Sequence, residues 1–102
     1  MTAADFATVA HALVDVTRAA GHQPPGFRTP PRIVGVDRTV TRRAGSTSAA
    51  VAVRIRERPW AAVVADMIDG VIAVNDLGPP EAGRLRGELW AAVSARAQRA
   101  VA

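Results

Sequence analysis

Apolar residues recur along this 102-residue chain with two different periods, and the first is helical. Phe6, Val9, Leu13 and Val16 stand three and four residues apart, with Ala10 and Ala20 extending the stripe. Thr2 followed by Asp5 resembles a capping box, and Gly21 is a natural end signal. The spacing predicts a helix over residues 2–20. Pro24-Pro25 and Pro30-Pro31 then surround Gly26-Phe27. Residues 23–32 are therefore expected to form a stiff connector that continues no helix or strand, pinned to the body by Phe27.

The second period is two. Val34, Val36 and Val40 share one parity with Arg38 and Arg42, which predicts a strand over Asp37–Arg43 at a sheet edge guarded by charge. Ala44 to Ser48 reads as a small-residue loop. Val51, Val53 and Ile55 then alternate with Ala52, Arg54 and Arg56, the pattern of a half-buried strand. Asp69-Gly70 suits a two-residue hairpin turn, because both central positions of that turn need positive φ. Three antiparallel strands between Ala50 and Leu77 follow. One face carries Val51, Val53, Ile55, Val63, Ala65, Met67, Ile72 and Val74. The other carries Arg54, Arg56, Trp60, Val64, Asp66, Ile68, Val71 and Asn75. A second reading makes Pro59 the first residue of a helix to Asp69, capped by Gly70; the β-branched pairs favour the strands.

Gly78-Pro79-Pro80 closes the sheet and opens a last helix over about residues 79–100. Leu85, Leu89, Ala92 and Val93 form its core stripe, and Gly83 and Gly87 share one face where they would permit close packing on the sheet. The expected fold is α+β within one domain over residues 1–102. An antiparallel β-meander of three to four strands, spanning about residues 37–77, carries an N-terminal and a C-terminal helix on one face.

Composition narrows the function classes. Hydrophobic residues make up 49%, a globular proportion, and no apolar run approaches the roughly 20 residues of a membrane span. Cysteine is absent, which excludes a disulfide framework and a thiolate metal site. With no signal-peptide pattern at the N-terminus, a cytoplasmic protein without membrane contact is expected. All 13 basic residues are arginine. From Phe27 to Arg58, eight arginines face only Asp37 and Glu57, a net of +6; from Pro59 to Glu81 there are four acids and no base, a net of −4.

Catalytic chemistry finds no foothold in the pattern. Asp66, Asp69 and Asp76 are the clustered carboxylates, but the turn explains Asp69, and Asp66 and Asp76 fall on opposite faces. His11 and His22 lack a second histidine or carboxylate at ligand spacing, and Ser46, Thr47 and Ser48 lack a nearby histidine. No catalytic residue, metal site or cofactor is expected. The expectation is a small non-enzymatic interaction module, homodimeric or docked on a partner protein through the open sheet face. That face would centre on Val64, Ile68 and Val71, with Trp60 and Arg56 at its margin, an apolar patch on the order of several hundred Å2. The alternative is sequence-nonspecific binding of DNA or RNA through Arg38, Arg42, Arg43, Arg54, Arg56 and Arg58, since guanidinium groups suit phosphate.

Overall fold

A computed structural model of the chain describes residues 1–30, 37–43 and 46–101; the side chains of residues 37–48 and 97–101 lie outside the described set. The order of elements is α1 (Ala3–Ala19), β1 (Gly26–Arg28), β2 (Asp37–Arg43), β3 (Ser46–Ala52), α2 (Trp60–Asn75) and α3 (Pro79–Val101).

Local signals determine α1. The Asp5 amide donates to the Thr2 hydroxyl at 3.0 Å and the Thr2 amide donates to the Asp5 carboxylate at 3.3 Å, completing the capping box. Hydrogen bonding from Thr2, side chain first and then backbone, holds the Asp5 carboxyl below its ordinary value. Phe6, Val9, Ala12 and Leu13 are buried. So is Thr17, whose hydroxyl is satisfied by donating to the Leu13 carbonyl at 2.6 Å. Gly21 takes φ of +83°, its amide reaching the Arg18 carbonyl and the His22 amide reaching that of Thr17, both at 3.0 Å. This is the double bond pattern of a glycine-terminated helix.

The segment after Gly21 is more than a connector. Gln23 is bonded in both directions by the Asn75 side chain, its amide donating to Asn75 Oδ1 and its carbonyl accepting from Asn75 Nδ2, each at 3.0 Å. Gly26–Arg28 then forms a strand parallel to β3, with Phe27 opposite Val51. Phe27 meets the ring of Phe6 edge to face at 6.4 Å, which fixes this strand to α1.

The expected antiparallel meander is not formed. The sheet is small, three-stranded and mixed, in the order β1-β3-β2, with β3 parallel to β1 and antiparallel to β2. The predicted strand Asp37–Arg43 is β2. Ser46 to Ser48, read as loop, extend β3 and pair with Arg43 to Thr41. Residues 60–77, read as two strands, instead contain α2. A helix forms here as in the second reading, but it starts at Trp60 with Pro59 as its extended N-cap, and Gly70 lies inside it rather than at its cap. The end comes at Asp76, in the left-handed region at φ +50°.

Energetics explain why the helix wins. Each β-branched residue costs at most about 0.7 kcal/mol in a helix, whereas fully burying a Val, Ile or Met side chain is worth about 1.5–3 kcal/mol. Val63, Val64, Met67, Ile68 and Val71 recur at helical spacing and are all fully buried. Gly70 decides how closely α2 lies on the sheet. A Cβ at this position would sit 2.6 Å from Val51 Cγ1, 2.9 Å from Cγ2 and 3.3 Å from Cβ. Three atoms of one stiff, buried side chain leave no rotation that clears the space.

The two outer helices do not share a sheet face. α2 covers the sheet, and α1 packs mainly along α3. On α3, Ala82, Leu85, Leu89 and Val93 are buried towards the core. Gly83 and Gly87 do not serve close packing: both are exposed, with nothing within 4 Å of a Cβ built on either.

The glycines therefore predict opposite outcomes in melting experiments. Gly70→Ala should destabilise, because overpacking costs about 1–3 kcal/mol against roughly 1 kcal/mol of improved helix propensity. In a Val51→Ala background that penalty should shrink; an equal penalty in both backgrounds would mean that Val51 does not set the constraint. Gly83→Ala and Gly87→Ala should each stabilise by about 0.5–1 kcal/mol.

Candidate nucleic-acid interface

The loop between β3 and α2, residues 53–59, carries half-buried Arg54 and exposed Arg56 and leads into exposed Trp60. Its path is set by guanidinium groups acting on loop carbonyls. Val53 first extends the β1–β3 pairing, its amide donating to the Arg28 carbonyl at 3.0 Å. Arg58 Nη1 then donates to the Arg54 carbonyl at 3.1 Å, and Arg58 Nη2 forms a salt bridge with Asp66 on α2. Arg54 Nη1 reaches the Arg56 carbonyl at 3.4 Å. The turn is tight enough to place Glu57 in the left-handed region, at φ +60°. This costs a non-glycine residue on the order of 1 kcal/mol and is tolerated here because both flanks are clamped.

The six arginines of the expected surface are spread by the backbone along β2 and the β3–α2 loop. Arg38 pairs in register with Val51, near the loop, whereas Arg42 and Arg43 pair with Thr47 and Ser46 at the far end of the hairpin. Arg38 and Arg42 are four strand steps apart, roughly 14 Å. The side chains of all three β2 arginines lie outside the described residues. Arg58 is engaged by its structural bonds and is partly buried. Arg54 is half-buried and Arg56 exposed, and neither has an acidic partner among the described residues. Elsewhere, Arg86 pairs with Asp69 and Arg96 with Asp15, each at 3.5 Å.

The expected interface residues part company. Val64, Ile68 and Val71 are fully buried in the chain's own core, beneath the sheet and between the helices. The face expected to lie open is occupied by the protein itself, because α2 is a helix whose apolar stripe points inward. Trp60 alone of the four is exposed, at 36%. It opens α2, whose first turn has no acid and whose N-cap, Pro59, makes no side-chain bond. The Ala62 and Val63 amides reach the Pro59 carbonyl; those of Trp60 and Ala61 have no partner among the described residues.

The three clustered carboxylates have structural roles. Asp66 holds Arg58, Asp69 meets Arg86, and Asp76 ends α2. His22 lines a cleft of about 530 Å3 between the end of α1 and the start of α3, where Glu81, Arg84 and Glu88 rim an apolar floor of Val16 and Leu85. His11 lines a shallower groove of about 330 Å3 beside β1. Among the described residues, no three His, Cys, Asp or Glu side chains are grouped to hold a metal ion, and no helix is long and apolar enough to cross a membrane.

No family model, curated protein or solved structure matches this chain.

Burial of Ile68 and Val71 makes a direct prediction. Replacing them together, Ile68→Asp with Val71→Thr, should abolish the cooperative melt, because an unpaired carboxylate would enter the core. A surface interface would instead give a folded monomer with an unchanged transition, readable by circular dichroism and light scattering.

Proposed function

We propose that this chain binds nucleic-acid backbones without reading base sequence, through the arginines of the β2–β3 hairpin and the β3–α2 loop. The observation that carries this is the segregation of charge. From residue 37 to residue 57 the chain holds five arginines against Asp37 and Glu57. Among the described residues, Arg86 and Arg96 of α3 pair with Asp69 and Asp15, whereas Arg54 and Arg56 have no acidic partner. Guanidinium groups left without carboxylates suit phosphate oxygens, which they meet in bidentate fashion. Such contacts release condensed counterions, so affinity falls steeply with salt.

Arg42 and Arg43 pair at one end of the β2–β3 hairpin and Arg38 at the other, so these positions are spread along the backbone rather than gathered at one point. A backbone with regularly spaced phosphates matches such a spread better than a small anion does.

Binding of labelled DNA or RNA should appear at low salt and weaken to a Kd of about 10⁻⁶ to 10⁻⁴ M near physiological salt. Arg54→Ala with Arg56→Ala should weaken it similarly for unrelated sequences and reduce the slope of log K against log salt by roughly one to two units. Absence of binding at low salt, where attraction is greatest, would end this reading.

A further inference from the structure

Trp60 stands out on the surface as the large hydrophobic side chain that the described structure leaves exposed. The rest of α2 turns its large residues inward, with Val63, Val64, Met67, Ile68 and Val71 fully buried. A tryptophan at the first helical position is badly placed to add to that core, and nothing in the helix start requires an aromatic there: Pro59 supplies the N-cap. The described aromatic pair, Phe6 with Phe27, lies at α1 and does not involve it.

Its surroundings have a definite chemistry. Half-buried Arg54 and exposed Arg56 lie six and four positions before it in the loop, without acidic partners among the described residues. Arg58, also in this loop, is turned away onto Asp66 and the Arg54 carbonyl, so it fixes the platform rather than offering charge. The Trp60 and Ala61 amides, without partners among the described residues, add positive potential at this helix start. Glu57 is the single acid of the loop. An exposed aromatic side chain with arginines a few positions away in the same loop suits an unstacked base resting on the ring while its phosphates are held. In a duplex the bases are stacked on one another and their faces are closed to such contact.

We propose that Trp60 makes this surface selective for unpaired nucleic-acid strands, by stacking one base between phosphates held at Arg54 and Arg56. This rests on the backbone-binding reading above and adds to it a choice of strand state. One platform accepts any base, so the choice does not extend to sequence.

The test uses the full chain with two labelled probes, an oligothymidylate strand and a duplex of equal length, followed by anisotropy across a salt series. Trp60→Ala should weaken strand binding about tenfold or more, leave duplex binding unchanged and leave the strand's salt slope unchanged, because stacking releases no counterions. Trp60→Phe should restore most of the affinity. In a Trp90→Phe background, the strand should quench the remaining tryptophan fluorescence and the duplex should not. Trp60→Ala binding the strand as tightly as the parent, or losing strand and duplex equally, overturns the proposal while leaving backbone binding in place. Loss of a self-associated species in Trp60→Ala, with strand binding unaltered, overturns it in favour of a protein partner. If the parent binds neither probe at low salt, backbone binding itself fails and this inference with it.

Discussion

The contact of Gly70 with Val51 is the constraint on which the remaining packing depends. β3 is the central strand, and Val51 on it is held by β1 on one side and β2 on the other. α2 can bury its stripe only if its backbone comes down onto that side chain, and a Cβ at Gly70 would lie only 2.6 Å from Val51 Cγ1, closer than such atoms can approach. Once α2 lies at that depth, its other sides are available to α1 and α3, and the core of Leu13, Met67, Ile68 and Leu89 closes around it. The glycine costs about 1 kcal/mol of helix propensity and opens an interface whose buried side chains contribute several times as much.

The same residue shows what could be read from the chain and what could not. α1 was legible because its determinants are local: Thr2 and Asp5 cap it, Phe6, Val9 and Leu13 space it, and Gly21 ends it. β2 was legible from alternation. Asp69-Gly70, by contrast, has the composition of a hairpin turn, and the valines and isoleucines around it favour strands in isolation. What overrides them is a strand neighbour nineteen positions upstream, a tertiary fact with no local trace. Length was the neglected signal: residues 60–75 run without a loop, longer than typical strands. β1 was hidden for the opposite reason. Three residues between prolines have no strand signature of their own, and Gly26–Arg28 is a strand only because β3 offers an edge.

The candidate site was partly legible in the same sense. Charge segregation is a property of sequence and survives any error of secondary structure, so Arg54 and Arg56 stay candidates. Parity does not survive. Reading residues 60–71 with period two instead of 3.6 put Val64, Ile68 and Val71 on a surface, when in the fold they share the buried side of a helix. Trp60 kept its exposure, although for a different reason: it begins the helix rather than fringing a sheet. The clamp of Arg58 on Asp66 was out of reach while those residues were assigned to a turn and a strand.

Asn75 has a consequence of another kind. Its amide does for Gln23 what a neighbouring strand would do, donating to the carbonyl and accepting from the N–H across 52 positions of sequence, while also holding the Val71 carbonyl of its own helix. Helix ends ordinarily fray one at a time, each with its own small opening free energy. Here the exit of α1 and the last turn of α2 are riveted together, so neither end can loosen without breaking bonds that belong to the other. The segment leading into β1 is thereby held, through exposed bonds, to a helix to which it is not covalently adjacent.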